Sequence, residues 1–126
     1  MTTMSMRQPD LSFKKSLGQH FLLNPSTIDK ILSKAGVGPA DRVLEIGAGP
    51  GLMTERLAAR AGRVVAVEKD RRLFHELQGR LIGLKNLTLL EGDILSMDLP
   101  KILGTVEGTW KVVANLSLDM VVTSCP

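Results

Sequence analysis

Cysteine is almost absent from this sequence, with Cys125 as the single example in 126 residues. One thiol excludes an internal disulfide and a cysteine-based zinc cluster, and it fits a reducing compartment. Long apolar runs are also missing, so we expect no membrane span. The first dozen residues lack the charged-then-apolar pattern of a secretory signal. These absences predict a cytoplasmic protein with no membrane partner.

A strong charge imbalance is missing as well, since the net charge is only +3. Residues 1–40 carry five basic and two acidic side chains, whereas residues 41–126 carry eleven of each, so the whole excess lies in the N-terminal segment. The segment could be an arm that binds phosphate groups or a solvated terminus, and its charge alone leaves both interpretations open.

Strand-like and helix-like segments alternate along the chain. Residues 1–12 show no periodicity and are expected to be a flexible tail; Asn24 and Pro25 then begin a helix as N-cap and first helical residue. The predicted strands are Arg42–Ile46, Arg63–Glu68, Leu87–Asp93 and Lys111–Leu116. This order predicts an α/β fold, a Rossmann-like doubly wound parallel sheet, incomplete with about four strands, preceded by an N-terminal helix.

Three glycines on alternate positions, Gly47, Gly49 and Gly51, follow the first predicted strand at once. Glycine lets the backbone approach a ligand closely and adopt positive φ, and the next helix turns free N–H groups toward the same place. The turn is therefore a candidate cofactor cradle.

The ends of the four predicted strands bring together Gly47, Glu68, Asp93 and Asn115. Ligands of parallel sheets bind beyond the carboxyl ends of the strands, so these residues should share one edge. Each residue also has a purely structural interpretation. Gly47 would only form a turn, and Glu68 would be a solvated acid at a strand end. Asp93 would cap the turn at Ile94, and Asn115 would satisfy backbone groups of a loop. Their joint placement favours a ligand site.

The nature of the cofactor is only partly determined by spacing. The dinucleotide fingerprint requires glycine or alanine where this chain has Leu52, which makes NAD the weaker interpretation. Glu68 stands twenty-one residues after Gly47, where its oxygens could accept both hydroxyls of a ribose in any adenosine cofactor.

Five blocks narrow the choice: residues 15–22 (KSLGQHFL), 45–51 (EIGAGPG), 65–70 (VAVEKD), 91–93 (EGD) and 113–116 (VANL). In order and spacing they resemble the small-subunit ribosomal RNA adenine N6,N6-dimethyltransferases, which are class I S-adenosyl-L-methionine-dependent methyltransferases. The resemblance runs from about Lys14 to Leu116. It implies a cofactor-binding domain over residues 13–116 and an atypical tail over residues 117–126.

The resemblance also implies roles for individual residues. His20 and Leu22 would contact the methionine end of S-adenosyl-L-methionine, with Gly47 beneath it, Glu68 on the ribose and Asp93 at the adenine. Asn115 would lie between cofactor and target and act in catalysis. The implied partner is small-subunit rRNA or a pre-ribosomal particle, whose adenine N6 would be methylated twice.

The chain departs from that family after Asn115. The family continues Asn-Leu-Pro with an aromatic residue, whereas this chain reads Leu116, Ser117, Leu118 and has no aromatic after Trp110. We therefore expect a truncated or alternatively ended dimethyltransferase. Residues 112–114 would then form an exposed edge through which the chain could self-associate. A non-catalytic module binding S-adenosyl-L-methionine or RNA, and a nicotinamide-dependent oxidoreductase, remain the alternative functions.

Overall fold

The computed structural model describes residues 9–13, 24–104, 110–116 and 119–125. Strands and helices alternate through most of this range, as the sequence pattern predicts. The elements are β1 (Pro9–Phe13), α1 (Pro25–Lys34), β2 (Arg42–Ile46), α2 (Leu52–Arg60), β3 (Arg63–Glu68), α3 (Arg71–Leu81), β4 (Leu87–Glu91), a 3-10 turn (Ile94–Ser96), α4 (Leu99–Leu103), β5 (Trp110–Leu116) and β6 (Asp119–Cys125).

The strands form one six-stranded sheet in the order β1-β6-β5-β2-β3-β4. The four strands β5, β2, β3 and β4 are parallel, and Leu44 of β2 lies between Val112 of β5 and Val65 of β3. Strands β6 and β1 add antiparallel pairs at the other side. The expected parallel Rossmann-like α/β sheet is confirmed.

Two apolar layers cover the sheet. One layer joins α1, α2 and α3 to one face through residues such as Ile28, Leu57 and Leu77. The other face packs on Leu103 of α4 and on Trp110. Successive residues of β2 and β3 enter opposite layers, as the alternation of side chains along a strand requires, and both faces of the sheet are therefore covered.

The helix ends follow the local sequence. The Asn24 Oδ1 accepts from the backbone N–H groups of Ser26 and Thr27 at 3.0 and 3.3 Å, which caps α1 as predicted. Asp70 caps α3 in the same way through the N–H groups of Arg72 and Leu73. Side-chain oxygens at the N-cap satisfy donors that have no partner within the helix.

The four expected parallel strands are present, and two further strands, β1 and β6, extend the sheet beyond them. Two expectations are wrong. Strand β1 occupies residues 9–13, of which residues 9–12 were expected to be a flexible tail. Residues 112–114 are not an edge, because β6 pairs with β5 from Trp110↔Cys125 to Leu116↔Asp119. Strand β6 contains the run Val121, Val122 and Thr123, whose β-branched side chains favour strands. The reason for expecting self-association there is removed.

Strand β4 also ends earlier than predicted, at Glu91, so Asp93 lies beyond the strand as the N-cap of the 3-10 turn. Leu73 of α3 is half-buried, whereas Phe74, Leu77 and Leu81 are buried. Within the ranges that the structure describes, no helix has both the length and the apolar character needed to cross a membrane.

Candidate cofactor site

The glycine turn between β2 and α2 has the conformation that its sequence predicts. Gly47, Gly49 and Gly51 have φ values of 81°, 56° and 88°, a region that residues with a side chain rarely adopt. The N–H groups of Gly47 and Ala48 both donate to the carbonyl oxygen of Val67, at 2.9 and 3.2 Å. The turn is therefore attached to the end of β3.

The turn has one open side and one packed side. Its chain neighbours aside, a Cβ placed at Gly47 or Gly49 would meet no atom of the described residues within 4 Å, whereas a Cβ at Gly51 would overlap the side chains of Leu77 and Arg80 on α3. Glycine at position 51 thus serves helix packing, and the glycines at 47 and 49 leave room for a ligand beside the backbone.

Glu68, at the end of β3, points its carboxylate at this turn. Its Oε1 accepts from the Gly49 N–H at 2.7 Å, and its Oε2 accepts from the Asp70 N–H at 2.8 Å. The residue is 6% exposed, so the alternative of a solvated strand-end acid is wrong. Each carboxylate oxygen has a second acceptor position, which leaves Glu68 able to bind hydroxyl groups as well.

Glu45 lies two residues before the turn and is 3% exposed. Its Oε1 accepts from the Thr54 Oγ1 at 2.5 Å. Burial raises the pKa of Glu45 from 4.5 to about 8; the Thr54 hydrogen bond opposes this and the charge of Glu68 adds to it. The sequence pattern singles out Glu45 as part of the motif but gives no sign of Thr54, which only the first turn of α2 brings to it.

Asp93 lies just beyond β4. Its Oδ1 accepts from the Leu95 N–H at 3.0 Å and caps the 3-10 turn that begins at Ile94, so the capping alternative is confirmed. The adjacent Leu95 is 90% exposed. A carboxylate with one capping bond retains acceptor positions, so the predicted contact with an adenine amino group stays a prediction.

Asn115 belongs to β5. The last register pair between β2 and β5 joins Ile46 to Ala114, so Asn115 comes one position later, level with Gly47 at the start of the turn. The backbone of this residue is therefore at the edge where the strands end, as predicted. His20 and Leu22 lie outside the described residues.

Arg80 is a residue near the turn that the sequence pattern does not indicate. Its Nη2 donates to the carbonyl oxygen of Pro50, and its Nε lies 3.8 Å from Glu55 of α2. No local signal could reveal this interaction, because thirty residues separate Arg80 from Pro50. The guanidinium holds the turn from its packed side.

The acids at this edge do not form a metal centre. Across residues 24–104 and the other ranges described, no group of three or more His, Cys, Asp or Glu side chains is arranged to hold a metal ion. Glu68 and Asp93 instead bond to backbone N–H groups.

A glycine turn with an open side, a buried acid at the next strand end and a parallel sheet define the class of Rossmann-like, nucleotide-cofactor-binding folds. Among solved structures, an RNA methyltransferase from Salinibacter ruber in complex with S-adenosyl-L-homocysteine matches with a TM-score of 0.57. The match covers 79% of this chain and 90% of that chain at 18% identity, which shows a shared fold.

The family model described as ribosomal RNA adenine dimethylase matches residues 10–121, and the chain belongs to this family. Ribosomal RNA small subunit methyltransferase A of Moorella thermoacetica is 48% identical over 88% of this chain, and that of Geobacter sulfurreducens is 45% identical over 91%. These alignments cover 41% and 42% of the two relatives. The chain spans about two-fifths of the length of the curated relatives it matches.

Proposed function

We propose that this chain is the cofactor-binding part of a cytoplasmic, S-adenosyl-L-methionine-dependent rRNA adenine N6,N6-dimethyltransferase that acts on small-subunit rRNA, free or in a pre-ribosomal particle. The observation that carries the proposal is the hydrogen bond of 2.7 Å from the Gly49 N–H to Glu68. This bond joins a buried carboxylate to the backbone of the glycine turn. Membership of the family supports the same conclusion.

The residues at this edge fit an adenosine-containing cofactor. Within the described part of the chain, a Cβ built at Gly47 or Gly49 would meet nothing within 4 Å apart from its chain neighbours, and Glu68 retains acceptor positions for ribose hydroxyls. Asp93 has a second carboxylate oxygen for the adenine amino group. By the resemblance, His20 and Leu22 would hold the methionine end. When bound, the cofactor supplies an electrophilic methyl group on a sulfonium.

Asn115 is the proposed catalytic residue. An exocyclic adenine amine is a poor nucleophile, since its lone pair is delocalised into the ring. A side-chain amide oxygen that accepts a hydrogen bond from one N6–H favours the rehybridised, attacking form of the amine. In the strand register, Asn115 of β5 is level with Gly47, and this position supports the assignment. A residue there would stand between the cofactor and an incoming base.

The segment after Asn115 bears on the rate. Leu118 stands where the family has an aromatic residue, and stacking of a base on an aromatic ring is worth roughly 1–3 kcal/mol. The base must leave its helix to reach the site, so weaker stacking slows transfer. We expect a slow enzyme rather than an inactive one.

Transfer of labelled methyl groups to small-subunit rRNA tests the proposal. We expect transfer by the chain, and Asn115→Ala should abolish it while S-adenosyl-L-methionine affinity is retained. Gln78→Ala, at an exposed position of α3, is the matched control and should transfer normally. Cofactor binding without any transfer would contradict the enzymatic proposal and favour the non-catalytic module.

A further inference from the structure

The two edges of the sheet differ in charge. At the carboxyl edge, β3 and β4 end in Glu68 and Glu91, and Asp93 follows. At the amino edge, β2 and β3 begin with Arg42 and Arg63. Lys85 stands two residues before β4, so a cation lies at or just before the start of each of three adjacent strands.

A cleft of about 490 Å³ lies at this amino edge, lined by Gly62, Arg63, Lys85, Asn86 and Thr88. None of these five lining residues is acidic. Arg63 and Lys85 are exposed; Arg63 is the first residue of β3, and Lys85 comes two residues before β4, which pairs with it. Two cations with no lining acid make the cleft attractive to an anion.

Side-chain hydrogen bonds and close packing hold the backbone that lines this cleft. The Asn86 Nδ2 donates to the carbonyl oxygens of Ala58 and Ala61, at 2.8 and 3.0 Å, which ties the start of β4 to the end of α2. Gly62 packs so closely on the Pro39 carbonyl that a Cβ there would overlap it. Lys85 and Arg63 are thus displayed from rigid positions, which lowers the entropic cost of binding an anion.

The neighbouring acid does not neutralise the cleft. The Asp41 carboxylate Oδ2 accepts from the Lys111 Nζ at 3.0 Å and from the Gly38 N–H at 2.7 Å. Asp41 meets Gly62 and Arg63 only through its carbonyl oxygen, at 2.9 and 3.3 Å. The charge of Arg63 therefore remains available to a ligand.

The cations form a row rather than a single point. Arg42 and Arg63 are register partners on adjacent strands, and both guanidinium groups lie against the Trp110 ring, 5.3 and 6.0 Å from its centroid. Arg63 and Lys85 also follow closely on the C-terminal ends of α2 and α3, at Arg60 and Leu81, where a cation offsets the helix dipole. A row of cations suits a linear polyanion better than a small one.

We propose that the amino edge of the sheet is a second RNA-binding surface, in which Lys85 in the cleft and the Arg63 guanidinium beside Trp110 bind separate backbone phosphates. This inference rests on the proposed function, because RNA is the linear polyanion that such an enzyme meets. The acidic carboxyl edge repels phosphates while it receives the base, so phosphate binding at the opposite edge supplies affinity that the catalytic edge cannot.

The test is a salt titration of binding to a fluorescent hairpin of small-subunit rRNA. The double variant Arg63→Gln/Lys85→Gln should lower the slope of log affinity against log salt by roughly 0.7–0.9 for each phosphate that the variant no longer binds. Lys30→Gln/Lys101→Gln is the control, because it removes the same charge from exposed positions on α1 and α4. Its slope should equal that of the unchanged chain.

Three results would overturn the inference. Equal slopes for the two double variants would mean that only net charge matters. Release of the RNA by inorganic phosphate as effectively as by the same concentration of RNA phosphates would mean that the cleft is a small-anion site. Absence of RNA binding by the unchanged chain would remove the surface altogether. Calorimetry with S-adenosyl-L-methionine on each variant separates these results from failure of the proposed function, since cofactor affinity should be unchanged.

Discussion

The Thr54 Oγ1 donates a hydrogen bond of 2.5 Å to the Oε1 of Glu45, with both residues buried where β2 leads into the glycine turn. The bond joins the strand before the turn to the helix after it. Since the turn itself contains three glycines with positive φ, it depends on such interactions for a fixed shape.

Glu45 should make stability depend on pH. Its pKa is raised in the folded chain to about 8 from 4.5, so the folded state holds a proton that the unfolded state releases between these values. The free energy of unfolding should therefore fall as the pH rises through that window, by an amount of the order of a few kcal/mol.

Glu45→Gln removes this titration while it keeps an oxygen that accepts from Thr54. Denaturant unfolding across the window should show a flatter pH profile for the variant, which becomes the more stable chain at the alkaline end. A variant whose profile is as steep as that of the unchanged chain would contradict the assignment of the buried proton to Glu45.

Thr54 can be tested by two substitutions of similar size. Thr54→Val removes the donor and leaves the buried Glu45 oxygen without this partner, which should cost about 1–3 kcal/mol of unfolding free energy. Thr54→Ser keeps the hydroxyl and should cost less. Thermal and denaturant unfolding measure both; a larger loss for serine than for valine would show that packing of the methyl group matters more than the hydrogen bond.

The glycine turn offers a pair of matched variants. Gly51→Ala adds a Cβ at a φ of 88° against Leu77 and Arg80, which should cost about 1–3 kcal/mol or more. Gly49→Ala adds its Cβ to open space at a φ of 56°, so its stability cost should be smaller. Because that open space is the proposed cofactor site, Gly49→Ala should weaken S-adenosyl-L-methionine binding more.

Unfolding and calorimetry on the two alanine variants separate these effects. Gly51→Ala should lose more stability than Gly49→Ala. Gly49→Ala should lose more cofactor affinity, although its loss of stability is the smaller. Normal cofactor affinity in Gly49→Ala would mean that the open side of the turn does not face the ligand.

Asp93 caps the 3-10 turn and is also the proposed adenine-binding residue. Asp93→Ser keeps a capping oxygen for the Leu95 N–H but removes the carboxylate, whereas Asp93→Ala removes both. If the carboxylate binds adenine, calorimetry should show weaker S-adenosyl-L-methionine binding in both variants. The larger loss of stability should occur only in Asp93→Ala. Unchanged affinity in Asp93→Ser would leave Asp93 as a cap only.

The sequence was sufficient for the parts of the fold that local pattern determines. Strands β2 and β3 have the predicted bounds, because their apolar runs are buried on both faces. Strand β6 lies in the stretch expected to be an atypical tail; its valine pair before Thr123 favours a strand, but its pairing with β5 and β1 depends on distant segments that local pattern does not reveal.

Interactions between distant segments could not be read from the sequence. Glu68 stood out for its place at a strand end, but its bond to the Gly49 N–H, nineteen residues away, depends on the parallel register of β2 and β3. The interaction of Arg80 with Pro50 depends on how α3 packs across the turn. Such relationships come from tertiary packing, which single-residue patterns do not encode.

The most direct test of the account is titration calorimetry of the 126-residue chain with S-adenosyl-L-methionine and, separately, with NADH. Membership of the dimethylase family, and Leu52 where the dinucleotide fingerprint requires glycine or alanine, predict binding of S-adenosyl-L-methionine and no measurable binding of NADH. Binding of NADH in preference to S-adenosyl-L-methionine would contradict the account and favour a nicotinamide-dependent oxidoreductase.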